Sequence, residues 1–218
     1  MKKLIKRLTV IIIVVVIILG GLAYGLTPEF PIKNENRLCN VDERINLSAI
    51  NKDVIKDVNI REGNLYVDMS FNNYTFNKIL KYDLLKYGNQ SMEAYEFKLE
   101  GNNLIIMAPE KVGPIKTQIS LYLTMSSKNN KMVLTVEKAL LGKIKIPKYI
   151  VSDKIEEMGT QSDRITTDGN KIYIDLNSVD MGMRDMKIKN SKISYTLVVT
   201  REDIKDIGIN LIDDMFDF

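Results

Sequence analysis

Lys116-Thr117-Gln118-Ile119-Ser120-Leu121-Tyr122-Leu123-Thr124-Met125 alternates between apolar and polar residues. Ile119, Leu121, Leu123 and Met125 fall on one side, and Ser120, Tyr122 and Thr124 on the other. Period-two alternation marks a strand with one buried face. A polar turn from Ser126 to Lys131 contains Asn129-Asn130, which tolerates left-handed backbone. Met132-Val133-Leu134-Thr135-Val136 then returns the chain, so the two runs predict a long antiparallel hairpin. Leu140-Leu141-Gly142-Lys143-Ile144-Lys145-Ile146-Pro147 leads into a helical pattern. Pro147 suits the first helical position, where its missing N–H costs nothing. Val151, Ile155 and Met158 turn inward until Gly159 stops the helix.

The same logic extends in both directions. Downstream, Asp168-Gly169-Asn170 is a tight turn that opens a strand from Lys171 to Leu176. Ile193, Tyr195, Leu197 and Val199 make another strand. Thr200 with Asp203 starts a last helix carrying Ile204, Ile207, Leu211 and Met215 on one face. Upstream, Tyr95, Phe97 and Leu99 pair across Gly101-Asn102 with Leu104 to Met107. Phe76, Ile79, Leu80, Leu84 and Tyr87 recur at helical spacing behind the capping residues Asn72 and Asn73. Gly63-Asn64 opens a strand with Leu65, Val67, Met69 and Phe71 on one side. Arg44 to Asp57 has a weaker helical phase. Strands arranged as hairpins, without βαβ crossovers, predict an α+β domain over residues 41–218. Its core is a curved antiparallel sheet covered on one face by amphipathic helices.

The first 26 residues differ from the rest of the 218-residue chain. Lys2, Lys3, Lys6 and Arg7 form a basic tail over residues 1–7. Leu8 to Leu26 carries no charge, and 13 of its residues are Val, Ile or Leu. Inserting that run into a bilayer is favourable by roughly 4–8 kcal/mol. The expectation is one transmembrane helix over residues 8–26 in the cell membrane, a short stalk over 27–40, the N-terminus inside and the domain outside. A cleaved leader is the competing reading, with Ala23-Tyr24-Gly25 as the small-x-small site. Cys39 follows Asn36-Arg37-Leu38, which does not suit lipid attachment.

Beyond the basic tail, 27 basic and 28 acidic residues are interleaved. That pattern is a solvated surface and does not point to nucleic acid. The chain has no histidine and one cysteine. Ser-His-Asp and Cys-His catalysis, His-ligated metals and zinc or iron–sulfur sites therefore fall away. Glu156-Glu157 and Asp213-Asp214 are adjacent acids that diverge on a helix and make poor dyads. The expectation is a protein that is not an enzyme, with no catalytic residues, no cofactor and no metal. Ten methionines lie beyond Met1, and methionine suits cavities that accept varied apolar ligands. Met181-Gly182-Met183-Arg184-Asp185-Met186 reads as a flexible lip in a loop.

Leu141-Gly142-Lys143-Ile144-Lys145-Ile146-Pro147, with its preceding hairpin and following helix, resembles the YpmS-like proteins of Gram-positive bacteria. These are singly anchored, extracytoplasmic and uncharacterised. The resemblance covers the layout of most of the chain up to Asp168, although the Pro-rich stalk is meagre here. It implies a shape similar to lipid-binding tubular modules, in which a sheet wraps a helix and leaves an apolar slot. Together these readings predict an anchored protein binding a lipid or other apolar ligand between sheet and helices. The lining would be Leu121, Leu123, Met125, Leu134 and Val136 of the hairpin, Ile150 and Val151 of the helix, and Met181, Met183 and Met186 of the lip. The alternative is an anchored docking module for a protein of the envelope or a sporulation assembly, with no small-molecule ligand.

Overall fold

A computed structural model describes residues 2–40, 54–87, 93–129, 131–159, 165–175 and 182–200. The order is α1 (Lys2–Leu26), β1 (Ile55–Arg61), β2 (Asn64–Phe71), α2 (Asn73–Tyr87), β3 (Glu96–Glu100), β4 (Asn103–Val112), β5 (Ile115–Lys128), β6 (Lys131–Leu141), β7 (Ile144–Lys145), α3 (Lys148–Gly159), β8 (Ile165–Asp168), β9 (Lys171–Asp175), β10 (Gly182–Lys189) and β11 (Lys192–Val199). Two short 3₁₀ turns, Asn34–Asn36 and Leu38–Asn40, follow α1. The class is α+β, as the hairpin pattern predicts. The strands, however, form two antiparallel sheets and not one. The smaller has the order β1-β2-β11-β10, the larger β3-β4-β5-β6-β9-β8 with β7 beside β6, and neither closes into a barrel.

The long hairpin of Lys116–Val136 is β5–β6. Leu123 pairs with Val136, and Met125 with Leu134. A bulge between Tyr122 and Leu123 shifts the register once, and a bulge of this kind bends a strand and sharpens its twist. A single cross-strand row, Leu99–Leu104–Leu123–Val136, runs over the inner face of the larger sheet. Every member is at most 5% exposed. Ile155 of α3 closes over Leu123 and Val136. Further along, Leu99 and Leu104 meet Phe71, Ile188 and Ile193 of the smaller sheet, with Phe76 and Ile79 of α2 packed alongside. Backbone and side-chain bonds between Gly101 and Ser191 tie the two sheets at their turns.

Asn72 caps α2 as expected, its Oδ1 accepting the Thr75 N–H at 2.9 Å. Asn73 has a different task. Its Oδ1 accepts the Leu99 N–H, and Asn77 Nδ2 donates to the Phe97 carbonyl. β3 is a sheet edge. One turn of helix thus presents two amides that stand in for a neighbouring strand, which is one way to blunt an edge.

Three expectations are corrected. The helical phase over Arg44–Asp57 ends in a strand, since Ile55–Asp57 belongs to β1, while 44–53 lie outside the described residues. A bulge between Ile55 and Asp57 breaks the alternation that would have revealed that strand. The Met181–Met186 lip is not a loop: from Gly182 on it is β10, bulged between Arg184 and Lys187 with Asp185 at φ 54°. The larger sheet also buries both faces, so the polar side of β5 is not a solvent side. The proposed last helix lies outside the described residues.

α1 is helical over 25 residues. Across the residues whose side chains are described, no helix is long and apolar enough to cross a membrane.

Candidate functional site: the socket of the first helix and its neighbouring cleft

The expected ligand slot lies between β5–β6 and α3. Leu123 is 2% exposed and Val136 and Ile155 each 5%, in mutual contact, with Leu121, Leu134 and Val151 packed around them. Met125 packs into the other cluster, against the smaller sheet. The space left beside Val136 and Val151 is about 10 Å³, at or below what a single water needs. Ile150 points away and is 41% exposed. Met186 is buried in β10, Met183 is half-buried there, and Met181 lies outside the described residues. Among the described residues, the structure brings Leu121, Leu123, Leu134, Val136 and Val151 together in one packed cluster with Ile155, and Met125 joins the other.

The opposite face of the same sheet is built differently. Its rows are Glu96–Met107–Ser120–Leu140 and Lys98–Ile105–Tyr122–Lys138. Residues 27–40, expected as a stalk, lie along this face. Leu38 is 1% exposed, and its N–H donates to the Tyr95 carbonyl. An irregular segment brings unpaired backbone groups with it, and burial obliges each to find a partner. Gln118 supplies two: its Oε1 accepts the Ile32 N–H at 3.0 Å, and its Nε2 donates to the Phe30 carbonyl at 2.8 Å. Glu96 accepts from the Lys33 N–H and from Asn36 Nδ2. Burial pushes the Glu96 carboxyl above its ordinary value, and those two bonds oppose the rise.

The end of α1 is seated at this edge of the sheet. Its last carbonyls would have no partner within the helix. Lys143 N–H donates to the Gly25 carbonyl at 2.7 Å, and Thr117 Oγ1 donates to that of Leu26. Gly142, at φ +61°, packs directly on the helix end: a Cβ there would sit 2.3 Å from the Leu26 oxygen. Lys143 Nζ also lies 3.7 Å from the centroid of the Tyr24 ring. The Leu141–Pro147 segment that carried the family resemblance is therefore the socket that holds α1.

Next to the socket a cleft of about 310 Å³ opens between residues 29–36 and the sheet. Its floor is Ile105, Met107 and Leu140, and its rim carries Glu29, Lys33, Lys98 and Glu100. Tyr122 stands in it with Lys138 Nζ 5.0 Å from its ring. Its phenol is held above its ordinary value, first by burial and then by Glu100 and Glu29. Sequence reasoning missed this cleft because Gln118, Ser120 and Glu96 look like solvent-facing residues. Leu38, an isolated apolar residue in a polar stretch, was the one available signal.

A second surface lies on β1 of the smaller sheet. Val58 pairs with Val67 and Ile60 with Leu65, so the four side chains share a face. Val58 is 53% exposed and Ile60 77%.

Compared with protein-family models, with curated proteins and with solved structures, the chain matches none.

Proposed function

We propose that this protein is a membrane-mounted, extracytoplasmic docking module, with binding rather than catalysis as its task. α1 is its anchor and the Val58–Ile60 face of β1 receives a protein partner. One observation carries the reading: α1 is joined to the sheet by the Lys143 N–H at the Gly25 carbonyl, the Thr117 hydroxyl at the Leu26 carbonyl and the Gly142 contact. A leader destined for removal has no need of a socket in the folded domain. The uncharged run Leu8–Leu26 gives about 28 Å of helix, close to a hydrocarbon core, and the basic tail favours an inside N-terminus. Exposed β-branched side chains on an outer strand are the kind of apolar patch that marks an interaction surface.

A second reading has its own observation. The cleft beside the socket has an apolar floor and a charged rim, at the small end of the range for ligand sites. An amphiphile would suit it, with its chain on Ile105 and Leu140 and its polar end among the rim charges.

One experiment addresses both. A photo-cross-linking amino acid is placed at Ile60 or at Tyr122 of the full chain, in membranes of cells that make it. The docking reading expects a single stoichiometric protein adduct from position 60, abolished by Val58→Asp in a chain with unchanged melting. Lipid adducts from position 122, with no protein adduct from position 60, overturn it in favour of the amphiphile.

A further inference from the structure

The strand ends around the α1 socket share a composition. β5 begins, and β6 ends, at the end of the sheet where Thr117 and Lys143 hold α1. The β4–β5 tip projects beyond Thr117 and carries Lys111, Val112 and Lys116, all exposed. On the other side of the socket come Ile144, Lys145, Lys148 and Tyr149. Val112 is 39% exposed, Ile144 40% and Tyr149 67%. Residues 111–116 and 143–150 contain five lysines and no acid; acids at their borders include Glu110 beside Lys111, Glu137 beside Lys145 and Lys148, and Asp153 one turn on in α3. Exposed apolar side chains interleaved with lysines are the composition of a surface that lies in the headgroup layer of a bilayer.

We propose that these two segments form a collar that lies on the anionic surface of the same bilayer that α1 crosses. The inference rests on the anchor reading above. Geometry fixes the occupant. Ile144 Cγ1 lies 3.1 Å from where a Gly25 side chain would begin, so it stands level with the last turn of α1, where the uncharged run ends. Whatever surrounds that level of the helix also meets Ile144. With α1 locked in its socket, the collar cannot swing away from the surface. The lysines would pair with lipid phosphates while Val112, Ile144 and Tyr149 enter the layer below them. The domain would then stand at one fixed angle to the membrane, with the β5–β6 tip farthest out.

The test uses the full chain with Cys39→Ser, reconstituted into phosphatidylcholine vesicles with or without about one-third phosphatidylglycerol. A nitroxide is attached in turn to Ile17→Cys, Val112→Cys, Tyr149→Cys and Lys128→Cys. Collisions with oxygen and with a water-soluble nickel chelate report depth. The expected order is position 17 deep, 112 and 149 at the interface, and 128 aqueous, with 112 and 149 deeper when phosphatidylglycerol is present. Lysine at an anionic surface gives about a fivefold preference per residue. Replacing Lys111, Lys116, Lys145 and Lys148 by Glu should therefore return position 149 to the aqueous reading. Aqueous readings at 112 and 149 with position 17 deep overturn the collar and leave the anchor standing. An aqueous reading at position 17 overturns the anchor, and the collar with it.

Discussion

Each face of the larger sheet carries a buried row, and the two rows are differently made. Along the inner row, Leu99, Leu104, Leu123 and Val136 are 4, 4, 2 and 5% exposed. Along the outer row, Glu96, Met107, Ser120 and Leu140 are 8, 5, 4 and 6% exposed. The first is covered by α3 at one end and by the smaller sheet, with α2 alongside, at the other; their backbone groups are already paired in helix or ladder, so its side chains need only be apolar and fit. The second is covered by residues 27–40, whose backbone enters burial with open donors and acceptors. Polar residues on that face are therefore the partners that make the covering possible. What a strand must display depends on whether a regular element, with its backbone already paired, or a bare chain lies over it.

The difference can be broken from the inner side first. Leu123→Ala removes the most buried member of the helix-covered row and leaves a cavity beside Val136 and Ile155. A loss of about 2–5 kcal/mol is expected, read as a lower denaturation midpoint, with α1 still seated. A loss under about 1 kcal/mol would mean that the inner face is not tightly filled.

A smaller effect is expected from the outer side. Gln118→Ala strips the Ile32 N–H and the Phe30 carbonyl of their partner, at a cost of about 1–3 kcal/mol. Amide exchange should rise at Ile32 while the β5–β6 ladder stays protected. Equal loosening of both would show that residues 27–40 are not a separate cover.

The smallest effect is a change of pH dependence. In the folded protein Glu96 holds its proton more tightly than the ordinary 4.5, so the folded state binds more protons than the unfolded one just above that pH. Its contribution is most favourable below about 4.5 and is lost as pH rises through the raised folded value. Glu96→Gln keeps an oxygen for Asn36 and cannot ionise. The melting temperature of the variant should fall less than that of the parent, or rise more, between pH 4 and pH 7. Identical pH profiles would place Glu96 in contact with water.

Much of the inner architecture is legible in the chain. The β5–β6 and β3–β4 hairpins, β2, β9, β11 and the helices at Asn73 and Lys148 all follow from apolar period and turn chemistry. What escaped has identifiable causes. β1 and β10 carry bulges that break the alternation. β8 is four residues long, too short to show a period. The socket and cleft escaped almost wholly, because they sit on residues that look like surface; the Leu121–Val136 residues, read as a lining, pack in the core clusters. Asn73 and Asn77 read as ordinary helix polar groups, because nothing local says that a strand edge lies beside them.

Which stretches alternate, where turns fall, that 19 residues near the start carry no charge, and that His-based chemistry is out of reach can all be read along the chain. Those properties belong to the residues and their neighbours in the chain. It took the folded chain to bury Gln118 and Glu96 beneath residues 27–40, to seat the end of α1 on Gly142, and to bring lysines from two separate segments near it. Each of these is a meeting between residues distant in the chain. The physical reason is that a backbone donor or acceptor takes its partner from whatever packing brings near, and no periodicity along the chain records that choice.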